Sequence, residues 1–130
     1  LDEAERPWCT KEQYDRRIIG GASSTTDGKA NTDRVLARWD SDEFPAFEWC
    51  RSKGKDWYLP AKDELKSIYT AKEKINVTLK RLGKIIVDGS FHWSSTEEDD
   101  ACAWLVRMYS GETCNYPKSH YYYVRAVSDF

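Results

Sequence analysis

Four cysteines, at positions 9, 50, 102 and 114, offer the most reactive chemistry in this chain. An even number is compatible with two disulfides in an oxidising compartment, and buried free thiols are the alternative. No two of them form a Cys-x-x-Cys motif, so neither a zinc site nor a thioredoxin-type site is predicted. A two-residue turn at Ser110-Gly111 would set Arg107 opposite Cys114, which argues against a Cys102–Cys114 bond, whereas a longer loop would allow one.

A cysteine nucleophile would need a base nearby, and the chain has only two histidines. His92 stands beside Trp93 in an apolar segment, and His120 lies in a segment rich in tyrosine. No spacing makes either histidine the partner of a cysteine. We therefore predict that the protein is not an enzyme.

The acidic run Glu97-Glu98-Asp99-Asp100 has the oxygen ligands that Ca²⁺ prefers. Four consecutive acids are more often a solvated loop, and we favour that interpretation. No cofactor and no metal ion are predicted.

Polar and aromatic side chains crowd the last third of the chain, in the pattern of a binding surface. Tyrosine supplies rigid contact area, while serine and asparagine supply adaptable hydrogen bonds, as in antibody paratopes. The predicted ligand-binding residues are Asp99, Asp100, Tyr109, Ser110, Glu112, Asn115, Tyr116, Lys118, His120 and Tyr121. An ordinary solvated surface is the alternative.

The length of 130 residues fits one domain, with 1–17 as an irregular N-terminal extension. Hydrophobic residues make up 40% and aromatic residues 14%, enough for a core and a binding surface. A net charge of −2 argues against nucleic acid as a partner. The longest apolar run, at Ile85-Ile86-Val87, is far below the roughly 20 residues of a membrane helix, so no membrane insertion is predicted.

Helical patterns occupy the first two thirds of the chain. Asn31-Thr32-Asp33 has helix-start chemistry, and Phe47 and Cys50 share one helical face. Lys62-Asp63-Glu64 opens an amphipathic helix, and 72–84 is a basic, partly helical stretch. Its inward-facing residues are predicted to be Ile75, Leu79 and Leu82.

Strand patterns follow from Phe91 onward. Residues 101–108 alternate as a strand, 112–116 return after a turn, Pro117 interrupts, and 121–127 form the last strand. The order predicts an α+β fold with two or more helices packed on short antiparallel β-hairpins. Trp57, Leu59, Trp93 and Trp104 are predicted to pack in the core. Arg125 either pairs with Asp63 or Glu64 or faces the surface.

Three segments stand out by their order and spacing. They are 27–32, Asp-Gly-Lys-Ala-Asn-Thr; 56–65, Asp-Trp-Tyr-Leu-Pro-Ala-Lys-Asp-Glu-Leu; and 93–97, Trp-Ser-Ser-Thr-Glu, followed by Ala103-Trp104 and 123–127. Together they resemble the C-terminal domain family of collagen-like bacterial adhesins, the Lcl family. The resemblance covers about residues 18–130 and implies a C-type-lectin-like fold. It also implies bacterial or phage origin, exposure on a cell, pilus or virion surface, and binding rather than catalysis.

The related variable proteins of diversity-generating retroelements display a hypervariable ligand face near the C-terminus. The resemblance therefore implies a domain that binds a protein or glycan ligand on another cell or surface, with an undetermined oligomeric state. A structural subunit of a bacterial adhesin or pilus is the first alternative. A formylglycine-generating-enzyme-like protein with a reactive Cys114 is a weaker one. The basic stretch 72–84 and the sequon Asn76-Val77-Thr78 are further candidate sites for glycan binding and glycosylation.

Overall fold

The computed structural model describes residues 3–17, 19–84, 87 and 89–128. Its helices are α1 (Lys11–Asp15), α2 (Gly28–Arg38), a short 3₁₀ helix (Ser41–Glu43), α3 (Pro45–Arg51), α4 (Lys62–Thr70) and α5 (Lys72–Arg81). Its strands are β1 (Ala4–Pro7), β2 (Trp57–Tyr58), β3 (Phe91–Glu97), β4 (Cys102–Arg107), β5 (Thr113–Pro117), β6 (Tyr121–Val124) and β7 (Val127–Ser128).

Five strands form one mixed sheet in the order β1-β6-β3-β4-β5, and β2 pairs with β7 in a second, two-stranded sheet. Within the large sheet β3 and β6 run parallel, and the other neighbours are antiparallel. The predicted α+β class is confirmed, with helices before the main hairpins along the chain. The finer relationship to C-type lectins stays a prediction.

The N-terminal segment differs from the irregular extension that was predicted. Residues 4–7 pair with β6, and Trp8 and Cys9 are fully buried directly afterwards. The Thr10 hydroxyl then accepts a hydrogen bond from the Gln13 amide and caps α1. The prediction failed because β1 is a charged edge strand whose partner lies more than 100 residues away, so its pairing leaves no local sequence pattern.

Helix α2 begins at Gly28, three residues before the predicted start, because Asp27 is its cap. The Asp27 Oδ1 accepts a hydrogen bond of 2.9 Å from the Ala30 amide. Gly28 sits so tightly against the turn before α4 that a Cβ atom there would come within 2.5 Å of the Leu59 carbonyl oxygen. Asn31 and Thr32, the residues expected to cap the helix, are instead buried inside it.

Helix α4 starts at Lys62 as predicted, and Glu64 joins it to α2. The Glu64 Oε1 accepts hydrogen bonds from the amides of Ala61, at 2.9 Å, and Gly28, at 2.8 Å. Both alternatives predicted for Arg125, an ion pair with Asp63 or Glu64 and a position facing the surface, are wrong. Arg125 is buried beside the N-terminal segment instead, with its Nη2 3.4 Å from the Glu3 Oε1.

The Ser94-Ser95-Thr96 segment belongs to β3 and ties the helices to the sheet. The Ser95 hydroxyl accepts a hydrogen bond from the Asn31 amide group at 3.0 Å. The Thr96 hydroxyl donates to the Ser24 carbonyl and accepts from the Lys62 amide, each at 2.9 Å. The segment therefore holds α2 and α4 on the sheet.

Two hydrophobic clusters hold these layers together. The larger cluster includes Trp8, Phe44, Phe47, Leu59 and Trp93, and the smaller includes Leu65, Val87, Val106 and Met108. Leu59 and Trp93 are buried as predicted, whereas Trp57 and Trp104 are only half-buried. Ile75 and Leu79 pack against the smaller cluster, but Leu82 is 64% exposed and the inward placement predicted for it is wrong.

The last hairpins depart from the predicted register. Leu105 lies opposite Cys114, because the loop from 107 to 112 is longer than two residues. Pro117 ends β5 opposite Cys102 rather than interrupting it. The predicted strand 121–127 is split at Arg125 and Ala126 into β6 and β7. The Ile85-Ile86 part of the apolar run lies outside the described residues.

Candidate ligand-binding face

Alternation along neighbouring strands places a group of aromatic side chains on one face of the large sheet. Phe91 of β3 lies opposite Arg107 of β4, and Tyr116 of β5 lies opposite Ala103. His92 pairs with Tyr123, so the adjacent Tyr122 of β6 shares a face with Phe91. We call the following residues the aromatic cluster: Phe91, Tyr109, Tyr116, His120 and Tyr122.

The rings of the aromatic cluster contact one another. Phe91 lies 5.9 Å from Tyr122 and 6.3 Å from Tyr116, and these two tyrosines are 5.5 Å apart between ring centroids. Tyr109 stacks on Phe91 at 6.3 Å with an interplanar angle of 25°. The His120 ring completes the group, 6.1 Å from Tyr122 and 6.4 Å from Tyr116. Separations of this size are typical of favourable aromatic contacts.

A buried tryptophan on the same face of the sheet, Trp93, packs against the cluster. Trp93 is fully buried, and its ring meets Tyr122 edge-on at 5.2 Å. Its indole Nε1 donates a hydrogen bond of 3.3 Å to the His120 carbonyl. Burial, followed by the neighbouring Tyr116, raises the pKa of the Tyr122 hydroxyl. The cluster therefore offers a neutral aromatic surface that the buried Trp93 holds in place.

Arg107 supplies the positive charge of this face. Its guanidinium lies 5.2 Å from the centre of the Phe91 ring, and its Nη2 donates to the Tyr116 hydroxyl at 3.3 Å. The hydrogen bond with Tyr116 is the main reason why the pKa of Arg107 is raised. Glu112 lies at the edge, with its Oε2 3.9 Å from the Arg107 Nη1.

Tyr109 and Tyr121 are the most exposed tyrosines among the described residues, but they lie apart. Tyr109 is 59% exposed and stacks on the aromatic cluster. Tyr121 is 63% exposed and precedes Tyr122 in β6, so its side chain points to the opposite face of the sheet. The predicted binding residues therefore do not form one surface.

Asp99 and Asp100 also lie away from the cluster, in the turn between β3 and β4. The Asp99 Oδ1 accepts hydrogen bonds of 2.8 Å from the amides of Ala101 and Cys102. These bonds lower the pKa of the Asp99 carboxyl. The six residues of β4 separate this turn from Tyr109 by about 20 Å.

Lys118 is not available as a surface ligand residue, contrary to the prediction. Its side chain is 1% exposed, and its Nζ lies 2.6 Å from the Glu97 Oε2 and 4.9 Å from the centre of the Trp8 ring. Glu97 is correspondingly not part of a solvated loop. Its carboxylate accepts hydrogen bonds from the amides of Gly20, at 2.7 Å, and Gly21, at 3.1 Å.

The remaining predicted residues lie near the β4–β5 hairpin. Ser110 is half-buried at the tip, while Glu112 and Asn115 are exposed. Asn115 is adjacent to Tyr116 in β5, so it faces away from the cluster. Within the described residues, no group of three or more acidic, histidine or cysteine side chains is arranged to hold a metal ion.

The prediction missed Phe91, Arg107 and Tyr122 as members of the candidate site. Alternation already placed Tyr122 with Val124, and Arg107 with Leu105. Tyr122 and Arg107 come together only because β3, which carries Phe91, lies between their strands. That arrangement depends on the parallel pairing of β3 with β6, which no local pattern encodes.

The cysteines are free thiols, and all four lie within the described residues. Burial raises the pKa of Cys9 to about 12 and also raises the pKa of Cys50. Cys102 and Cys114 are half-buried, and burial raises the pKa of each thiol. Activation of a cysteine nucleophile requires a lowered pKa, the opposite of these shifts.

The buried histidine has both ring nitrogens in hydrogen bonds. The His92 Nδ1 lies 3.0 Å from the Ser90 carbonyl, and its Nε2 lies 2.5 Å from the Glu3 Oε1. Glu3 also lies beside Arg125. These contacts fasten the N-terminal segment to β3, which is a structural role.

The sequon asparagine is likewise occupied by structural bonds. The Asn76 amide group donates to the Val87 carbonyl at 2.8 Å, and its Oδ1 accepts from the Val87 amide at 2.7 Å. In the basic stretch, Lys72 donates to the Met108 carbonyl at 2.8 Å, while Lys74, Lys80 and Arg81 are exposed.

Comparison with known proteins identifies both the family and the fold. A family model described as the Lcl C-terminal domain matches residues 8–128. The fold is similar to that of a fimbrial protein from Bacteroides ovatus ATCC 8483, with a TM-score of 0.71 and 17% sequence identity. That match covers 95% of this chain and 33% of the fimbrial protein, so this chain spans about a third of its length. No curated protein matches the sequence. Among the described residues, no helix is both long and apolar enough to cross a membrane.

Proposed function

We propose that this chain, which belongs to the Lcl C-terminal domain family, is a non-enzymatic ligand-binding domain displayed on a cell or virion surface. The observation that carries the proposal is the aromatic cluster, in which four strands and the β4–β5 loop bring partly exposed rings and one arginine onto one face.

The composition of this face suits recognition of another molecule. Tyrosine and arginine are enriched among the residues that dominate binding energy, because they give large contact areas and directed hydrogen bonds. Tyr109 is the exposed anchor, and Tyr116 and Tyr122 are held by their neighbours. Little conformational entropy would be lost on binding, since the rings are already packed.

The chemistry of the face fits a protein or glycan ligand. Aromatic rings can stack on the apolar face of a sugar or on an apolar side chain of a protein. The hydroxyl groups of the sugar, or the amide groups of the protein, then remain to be hydrogen-bonded. Arg107 can donate to a carbonyl or a carboxylate while its guanidinium stays over the Phe91 ring.

We also propose that this domain is diversified in sequence, and that its variable positions lie on the exposed part of this face. The side chains of Tyr109, Glu112 and His120 are exposed, whereas Trp93 beside the cluster is fully buried. Sequencing the coding region across the source population tests this: substitutions confined to the exposed cluster codons and biased to adenines would support it. A uniform sequence would contradict it.

A structural subunit of an adhesin or pilus is the second candidate. It is favoured by the similarity to a fimbrial protein of about three times the length. In that case the cluster would contact another subunit, and substitutions in it would impair assembly rather than adhesion. The formylglycine-generating-type alternative lacks comparable support, because burial raises the pKa of Cys114.

The test is a binding screen of the isolated domain on an array of printed glycans and an array of surface proteins. The screened pair is the wild type and a variant carrying Tyr109→Ala and Tyr116→Ala. We expect signals from the wild type that the variant loses while its circular dichroism spectrum is unchanged. Equal signals from the two proteins would refute the assignment of the face.

A further inference from the structure

The two edges of the large sheet are protected to different degrees. At the β1 edge, Glu5 and Arg6 carry charges, Pro7 lacks an N–H group, and the Arg6 guanidinium caps the Glu5 carbonyl at 2.9 Å. The β5 edge consists of Thr-Cys-Asn-Tyr-Pro and carries no charge. Among the described residues, no strand pairs with its outer side. Proteins normally guard exposed edges with charges, prolines or bulges, so an uncharged edge invites a further strand.

The hydrogen bonds on either side of the β4–β5 ladder determine which groups of β5 face outward. The Arg107 amide donates to the Glu112 carbonyl, and the Lys118 amide donates to the Ala101 carbonyl, each at 2.9 Å. Hydrogen-bonded pairs recur at every second residue of an antiparallel ladder. Between Glu112 and Lys118, the residues whose backbone groups point toward β4 are therefore Cys114 and Tyr116.

The backbone groups of Thr113 and Asn115 consequently point away from the sheet. Together they offer two N–H donors and two carbonyl acceptors. Pro117, the next outward residue, has no N–H group, and its carbonyl accepts a hydrogen bond from the His120 amide. The open edge is thus a short template with two usable residues.

We propose that this edge pairs with the same edge of a second copy of the chain, so that the two sheets form one continuous sheet across a two-fold axis. In antiparallel pairing, Thr113 of each copy lies opposite Asn115 of the other, and both residues exchange both of their hydrogen bonds. This register satisfies all four outward N–H groups of the two copies. A register shifted by two residues in one direction pairs Thr113 with Thr113 of the other copy. A shift by two residues in the other direction sets Thr113 opposite Pro117, which has no N–H group.

The same register sets Cys114 opposite its counterpart at the two-fold axis. Cys114 would form a non-hydrogen-bonded pair, with a Cα–Cα separation of about 4.5 Å, within the range that a disulfide can bridge. A two-fold axis perpendicular to the sheet keeps both aromatic clusters on one side. The dimer would therefore present two adjacent binding faces to a surface, which increases avidity without new contacts.

Sedimentation equilibrium tests the association directly. The chain has a mass of 15.1 kDa, and we expect the wild type to shift toward twice this mass between about 10 μM and 1 mM, as befits a small interface. The edge variant carries Thr113→Lys and Asn115→Lys, which set like charges opposite each other. The matched control carries Ser23→Lys and Thr26→Lys, at exposed positions away from the edge.

The edge variant is expected to dimerise at least about tenfold more weakly, and the control as the wild type does. Oxidation with copper phenanthroline provides a second readout that does not depend on the lysines. A cross-linked dimer should form in the Cys102→Ser variant and be absent in the Cys114→Ser variant. A wild type that stays monomeric at about 1 mM would overturn the proposal, as would equal dimerisation of the edge variant or cross-linking without Cys114.

Discussion

The Lys118 ammonium lies 2.6 Å from the Glu97 carboxylate, and both side chains are buried, at 1% and 7% exposure. The contact joins the end of β3 to the turn after β5. The same carboxylate accepts hydrogen bonds from the amides of Gly20 and Gly21. One buried acid therefore connects three segments: the end of β3, the turn after β5 and the loop at Gly20 and Gly21. A residue that looked like part of a binding surface therefore helps to hold the scaffold.

Replacing Lys118 with methionine should destabilise the fold strongly. The change keeps the packing against Trp8 but leaves the Glu97 carboxylate buried without its cation. Breaking a buried pair in this way typically costs about 3–5 kcal/mol of the free energy of unfolding. Urea denaturation followed by tryptophan fluorescence measures it.

The matched control is Lys11→Met, at an exposed ion pair with Asp15. Exposed pairs of this kind contribute little, so its midpoint should match that of the wild type. If Lys118→Met and Lys11→Met had the same midpoint, the structural role of Lys118 would be contradicted.

Asn31 should be equally sensitive, because its side chain bridges a loop and a strand. Its amide group donates to the Ser24 carbonyl and the Ser95 hydroxyl, and its Oδ1 accepts from the Ser24 amide. Alanine would leave buried partners unsatisfied, and we expect a loss of about 2–4 kcal/mol in the free energy of unfolding.

Arg34→Ala, on the exposed side of the same helix, is the comparison for Asn31→Ala. It should change the free energy of unfolding by no more than about 0.5 kcal/mol. Comparable losses from the two substitutions would mean that the helix itself, rather than the Asn31 bridge, is sensitive to alanine.

Thiol reactivity should divide the four cysteines into two pairs. Cys9 and Cys50 are fully buried and burial raises the pKa of each, so neither should react with Ellman's reagent in the folded protein at pH 8. Cys102 and Cys114 are half-buried and should react slowly, at rates that increase with pH as thiolate forms.

Two thiols per chain should be counted in the folded state and four in guanidinium, with one fewer in each case after Cys114→Ser. A Cys114 that reacts faster than free cysteine would contradict the structural account. It would instead favour the enzymatic alternative.

Local patterns predicted much of the architecture. The amphipathic pattern that follows Lys62-Asp63-Glu64 predicted α4, and the alternation of residues 101–108 predicted β4, because each pattern repeats within a single element. The three family motifs likewise coincide with segments that hydrogen bonds connect. Asn31 bonds to Ser95 of β3, Glu64 accepts from the Gly28 amide, and Thr96 accepts from the Lys62 amide.

The features that the sequence did not predict depend on long-range pairing. The role of β1 as a strand depends on β6, and the burial of Lys118 depends on Glu97, which is 21 residues away. The candidate site was predicted only in part for the same reason. Tyr121 and Tyr122 are adjacent in sequence, and only the register of β6 decides which of them faces Phe91.

We expect the aromatic cluster, and not simply any exposed tyrosine, to bind the ligand. Tyr109 and Tyr121 provide a matched pair, because they are 59% and 63% exposed and lie on opposite faces. The most direct measurement is the affinity of Tyr109→Ala and Tyr121→Ala for whichever printed glycan or surface protein captures the wild type. We predict at least about a tenfold loss for Tyr109→Ala and wild-type affinity for Tyr121→Ala. A loss confined to Tyr121→Ala, or none in either variant, would mean that the aromatic cluster does not bind the ligand.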